Sequence, residues 1–169
     1  MALVLALSLV ACSGNSKDEL TETQKGDIKS VVYDFVPKCL FAMQNGGRND
    51  DIEFLDSSNH VTEEFREHMR TVMENRYKEL YGGIYGSSSV IATVFTARPT
   101  IADIEFYDYK CENGQYSVML RITIACTYRE KEFGGFWRQG TPYQEMRICD
   151  SLIRWDKNEC YLIDLLQYS

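Results

Sequence analysis

The sequence predicts an α+β domain in which N-terminal helices pack on one face of an antiparallel sheet. Three observations predict it. Apolar residues recur at helical spacing in the first half of the chain. From residue 104 the period falls to two. Turn signals then divide the second half into long strands joined as hairpins.

Thr21-Glu22-Thr23-Gln24 fits a capping box and opens the first helix, on which Ile28, Val31, Val32 and Phe35 form one stripe. Pro37 has no backbone donor and is expected to kink or end that helix. Cys39, Leu40, Ala42 and Met43 add a further turn or two, stopped at Asn45-Gly46-Gly47. Residues 48–60 are polar and turn-rich, with Ile52, Phe54 and Leu55 expected to pack back. Thr62 caps the next helix, where Glu63 and Glu64 suit the positive end of the dipole. Its stripe is Phe65, Met69, Val72, Met73 and Leu80, and it ends at Gly82-Gly83 before a loop at Gly86-Ser87-Ser88-Ser89.

In the second half, Ile104 and Phe106 alternate with Asp103, Glu105 and Tyr107. Asn113-Gly114 marks a tight turn, because Asn-Gly adopts positive φ at little cost. Tyr116, Val118, Leu120, Ile122, Ile124, Cys126 and Tyr128 then occupy every second position, the strongest strand signal in the chain. A Gly-rich aromatic loop, Phe133-Gly134-Gly135-Phe136-Trp137, leads to a strand over 143–155, a turn at 156–159 and a closing strand from Cys160 to Leu166. The expected core sets Ile28, Val31, Phe35, Phe65, Met69 and Val72 against Val118, Leu120, Ile122, Ile124 and Ile163. A hairpin centred near residues 137–138 would put Cys126 opposite Cys149, close to disulfide reach.

The N-terminus speaks to address. Residues 2–11 are an apolar run, roughly half the length needed to span a ~30 Å hydrocarbon core, which suits a secretory signal peptide. Leu9-Val10-Ala11-Cys12 follows directly and resembles the lipobox of bacterial lipoproteins. The resemblance implies cleavage before Cys12 and attachment of diacylglycerol to its thiol through a thioether, with palmitate among the fatty acids. The bland alternative is a buried N-terminal strand with a chance cysteine. The division is then residues 1–11 as signal peptide, 12–20 as lipidated Cys12 and polar tether, and 21–169 as a single α+β domain. The Lys or Arg expected before the apolar run is missing, which suggests a start upstream of Met1. Ser13 in place of Asp favours the outer membrane of the envelope, with the domain facing the periplasm or the exterior.

The formal charge is −7. An acidic domain argues against nucleic acid as a partner and against attachment through a basic patch, leaving the lipid as the expected membrane contact. The body carries Cys39, Cys111, Cys126, Cys149 and Cys160, an odd number without a Cys-x-x-Cys. With His60 and His68 near no cysteine in sequence, neither a metal site nor a cofactor is expected.

The element order, and the final pair in which Leu152-Ile153-Arg154-Trp155 turns into Cys160-Tyr161-Leu162-Ile163-Asp164, resembles the nuclear-transport-factor-two-like superfamily of cone-shaped folds. That superfamily holds isomerases, dehydratases and many non-catalytic binding modules, so the resemblance does not choose among them. An isomerase of this fold would need a carboxylate base and a Tyr or Asp donor at the open end of the cone. Tyr33-Asp34 and Tyr107-Asp108-Tyr109 are the pairs available.

The favoured site is instead the aromatic loop: Phe133, Phe136 and Trp137 with Arg138 and Tyr143, a composition suited to an unknown protein, peptide or glycan partner. The competing reading folds these rings back as a lid on the domain's own core. The sequence thus favours a lipid-anchored, non-catalytic interaction module, over a small-molecule isomerase or dehydratase and over a protective, immunity-like lipoprotein.

Overall fold

The computed structural model describes residues 19–47, 52–82, 90–133, 139–156 and 161–168. Cys12, Cys160, the 86–89 segment and Phe136-Trp137-Arg138 lie outside the described residues. Among the described residues three helices, α1 (Glu22–Asn45), α2 (Glu53–Ser57) and α3 (Glu63–Tyr81), precede five strands: β1 (Val90–Phe95), β2 (Thr100–Glu112), β3 (Gln115–Phe133), β4 (Tyr143–Trp155) and β5 (Leu162–Tyr168). The helices pack on a curled antiparallel sheet, the α+β class the sequence predicts.

Both long helices begin where their caps place them. The Thr21 hydroxyl accepts from Gln24 N at 3.2 Å while Gln24 Oε1 accepts from Thr21 N at 3.0 Å. At α3 the Thr62 hydroxyl accepts from Phe65 N at 3.2 Å. Pro37 does not end α1, which runs unbroken through it. The penalty for an interior proline, about 3 kcal/mol, is outweighed by its neighbours: Phe35, Val36, Cys39 and Leu40 are all buried in the main core.

β3 is the spine of the sheet. One edge pairs with β4 from Tyr116 to Tyr128. The other is shared end to end, by β2 as far as Ala125 and by β1 from Tyr128 onward. The Asn113-Gly114 turn closes the β2–β3 hairpin with both residues at positive φ, 52° and 77°, as a two-residue type I′ turn requires.

β2 carries two bulges, each one extra residue against β3, and such insertions bend and twist a sheet. The second holds Asp108 at φ 51°. It reverses the alternation, so that Tyr109 stacks inward on Tyr116 and Trp155, although in sequence it shares a phase with the outward-facing Tyr107. A third bulge inserts Asp164 into β5. Its carboxylate accepts from Arg154 at 2.8 Å and from the Thr62 hydroxyl at 3.0 Å, tying the terminal strand pair to the start of α3.

The core lies between the helices and the concave face. Ile28, Phe35, Phe65, Met69, Val118, Leu120, Ile122, Ile124 and Ile163 are buried there, with Val31 and Val72 packed at its margin, which is the expected set. α2 and β1 were not expected; Ile52 and Leu55 flank or belong to α2 and are fully buried.

The expected cysteine register is corrected. Cys126 faces Glu145, and Cys149 faces Ile122, leaving the two cysteines about 13 Å apart along the sheet. No disulfide joins them, and Cys39 and Cys111 are likewise outside any disulfide. The partner of Cys126 is displaced by an even number of residues, which keeps every side chain on its face, so alternation alone could not detect the slip.

Candidate functional site

The end of α1 meets the outer edge of β1. Asn45 spans the edge of β1: its Nδ2 donates to the Phe95 carbonyl at 3.0 Å and its Oδ1 accepts from Phe95 N at 2.8 Å. One residue earlier the Gln44 amide donates to the Thr93 carbonyl at 2.7 Å, which also accepts from Arg76 at 3.2 Å. Side chains thus occupy the outer edge of β1 where another strand would otherwise pair. Gly46 follows at φ 69°, and a Cβ there would lie 2.7 Å from Tyr77 Cα. Only glycine lets α1 end this close to α3.

Beyond this clamp lies a hollow of about 570 Å³, open to solvent, between the end of α1, α2 and the segment after β1. Its walls offer the rings of Phe41, Phe54 and Tyr81, the cations Lys38 and Arg98, and the carboxylate of Glu53. Asn45 and Tyr81 also line an adjoining hollow of about 250 Å³ that reaches Arg129 and Lys131 on β3. Together they form one groove, and the first hollow alone has the size of a typical ligand site. Lys38 is paired with Asp34 at 2.6 Å. Arg129 donates to the neutral Gln139 side chain, and Lys131 sits 4.8 Å from the centroid of Phe133.

The residues expected from sequence are distributed as follows. Phe133 is buried, packed with Leu80 and Val94 and edge-on to Tyr81 at 5.0 Å, so it is part of a small second core and is not a free contact residue. Tyr143 is 47% exposed and stacks on Tyr128 at 5.6 Å. Phe136, Trp137 and Arg138 lie outside the described residues. Lys38, Asn45 and Arg98 were not expected in a site. Asn45 was legible only as a helix stop, since its hydrogen-bond partner lies 50 residues away.

The carboxylate–tyrosine pairs do not converge. Tyr33 is 51% exposed and its neighbour Asp34 is held by Lys38. Tyr107 lies against Arg121, 5.3 Å from its centroid, on the opposite side of the sheet from the core. Partial burial, and then the Asp150 carboxylate, hold its hydroxyl above the usual pKa. Asp108 lines a separate hollow of about 450 Å³ beside Leu20 and is paired with Lys110 at 3.1 Å. Both of those side chains are half-exposed, so the carboxylate stays solvated. His60 serves the fold, its Nδ1 lying 3.2 Å from the Tyr161 carbonyl, and His68 is exposed.

No family model matches the chain. No curated protein sequence matches it. Among solved structures it is similar to an NTF2-like protein involved in plasmid conjugation, at 11% identity and TM-score 0.41, over 84% of this chain and 49% of that one. It is thus similar to about half the length of that protein. The intermembrane-space region of the chloroplast protein ARC6 matches at 10% identity and TM-score 0.41, over 89% and 97%. CagV, a VirB8 homologue from Helicobacter pylori, matches at 10% and 0.40, over 83% and 97%. Likenesses of this size describe the course of the backbone and nothing of the chemistry.

Proposed function

We propose that the protein is a non-catalytic interaction module of the bacterial cell envelope, anchored through acylated Cys12, that receives a partner in the groove beyond the end of α1. The observation that carries this reading is position. Leu20, the last residue of the tether, packs into the core beside the start of α1, and the groove lies past its other end. α1 has 24 residues, about 36 Å of helix at ~1.5 Å per residue. A domain tethered at residue 20 therefore holds the groove about 36 Å from its attachment point, where a partner in the envelope can reach it.

The concave interior, where a cone-shaped enzyme would hold substrate, is filled by Ile28, Val32, Ile122, Ile124 and Ile153. This favours binding at the rim over chemistry within.

Photo-crosslinking in intact cells tests the reading. A photoreactive residue at Ser57 or Thr96, on the groove rim, is expected to trap one partner, while the same residue at Met146 or Ser117 on the convex face traps none. Crosslinks confined to the convex face would overturn it. For the anchor, Cys12→Ser is expected to leave the precursor uncleaved or to release soluble protein; mature Cys12→Ser chain still bound to membranes would refute lipidation.

A further inference from the structure

We infer that the domain rests on the membrane surface through the hollow beside Leu20, with lipid covering the apolar mouth of that hollow. This rests on the reading of Cys12 as the anchor. It adds a second point of attachment, one that sets the orientation of the domain.

The hollow, about 450 Å³, is open to solvent at the start of α1. Val118, fully buried, and Leu20 form its floor. Phe106 and Tyr109 are partly buried and pack against the main core as its walls. The bulge in β2 gives it this shape. Asp108, at φ 51°, turns Tyr109 in toward Tyr116 and Trp155 and leaves Tyr107 beside Arg121 on the other side of the sheet. Apolar side chains that meet water at such a mouth gain from contact with an apolar phase.

Two observations identify that phase as lipid. The first is where the described chain begins. Glu19 and Leu20 line the hollow, and Cys12 precedes Glu19 by seven residues. Seven residues span at most about 25 Å at ~3.6 Å per residue. An acyl group on Cys12 therefore keeps the hollow within that distance of the bilayer, at high effective concentration. A second copy or a soluble partner would have to enter the same narrow gap.

The second observation is the chemistry of the rim. Tyr107 offers an apolar ring with a polar tip, and Lys25 an aliphatic stem below a charged head. Both suit the boundary between acyl chains and headgroups. Lys25 is paired with Glu22 at 2.8 Å, and Lys110 with Asp108 at 3.1 Å. These cations carry their own counterions, so the contact is apolar and does not depend on anionic headgroups. That agrees with a chain of formal charge −7. With this end on the membrane, the groove sits at the far end of α1.

The test uses the mature acylated chain, purified from bacterial membranes and reconstituted in vesicles of radiolabelled phosphatidylcholine. A photoreactive residue replaces Lys110, held by Asp108 at the hollow's rim, or Thr96 at the groove. The Lys110 position is expected to give lipid adducts about tenfold above those at Thr96, as a docked apolar face requires. The yield is expected to stay constant between about 50 and about 300 mM salt. Tyr107→Asp, which removes a ring and adds a charge at the rim, is expected to lower it about fivefold. Circular dichroism melts confirm that each variant is folded. Equal yields at the two positions, a yield that falls with salt, or indifference to Tyr107→Asp overturns the inference. So do adducts of the Lys110 position to a second copy or to residues 13–18 of the same chain. If the chain still floats with the vesicles in those cases, the anchor stands and only the docking face is lost. A purified chain whose mass shows no acyl group removes the anchor, and the inference with it.

Discussion

Asn45 holds the main chain of Phe95 by both of its polar groups, donating to the carbonyl at 3.0 Å and accepting from the amide at 2.8 Å. A side chain from the end of a helix here stands in for a neighbouring strand. Its removal leaves a partly buried donor and acceptor without partners, each worth about 1–3 kcal/mol. Asn45→Ala is therefore expected to destabilise the domain by about 2–4 kcal/mol and to speed hydrogen exchange at the Phe95 amide in particular. Chemical denaturation and amide exchange by NMR check both. Unchanged exchange at Phe95 would show that the clamp is not formed in solution.

Phe133 and Tyr143 flank the same hairpin and are expected to behave differently. Phe133 is 4% exposed within the Leu80–Val94 cluster. Phe133→Ala is expected to cost about 3–5 kcal/mol, the range for a buried phenylalanine. Tyr143, half in water, is expected to lose well under half of that on replacement by Ala. Thermal unfolding of the two variants decides which ring is structural.

Ile122 is fully buried on the concave face, opposite Cys149. Ile122→Ala is expected to destabilise the domain by about 2–5 kcal/mol. A loss below about 1 kcal/mol would show that this face of β3 is not the core face.

The cysteines give a chemical and a pH test. Cys39 and Cys149 are buried, and burial raises both thiol pKa values, that of Cys149 to about 12 from an ordinary 9.0. In native protein at neutral pH, iodoacetamide is expected to modify Cys111, which is exposed, and to spare Cys39, Cys126 and Cys149.

The sign for stability follows from the raised folded value. Below pH 9 the thiol is neutral in both states and its contribution is intact. Between pH 9 and about 12 only the unfolded chain ionises, so stability falls by up to about 1.4 kcal/mol per pH unit for each such thiol. Cys149→Ala is expected to flatten this alkaline decline. Equal slopes in the two proteins would contradict the assigned burial.

What the sequence made legible is what alternation and capping encode. The Thr21 and Thr62 caps, the Asn113-Gly114 turn, the bounds of β4 and the faces of β3 all follow from local chemistry. Three things do not. Register across a long hairpin depends on the loop, and an even slip leaves every face unchanged, which is why Cys126 and Cys149 were expected to meet. The Asp108 bulge inverts the phase of Tyr109, and no residue type announces it. The groove draws Lys38, Arg98 and Arg129 from three distant segments, so each looks like an ordinary surface cation until the fold assembles them.

The most direct test of the account is residue-resolved. Isotope-labelled full chain in micelles is titrated with the partner trapped by groove crosslinking while backbone amide shifts are followed by NMR. The account predicts that the perturbed amides cluster around Asn45, Gly46, Arg98 and Lys131, and that those of Met146, Ile148 and Leu20 stay in place. Perturbations centred on the Met146–Ile148 strand face, or on the Leu20 hollow beside the tether, would contradict it.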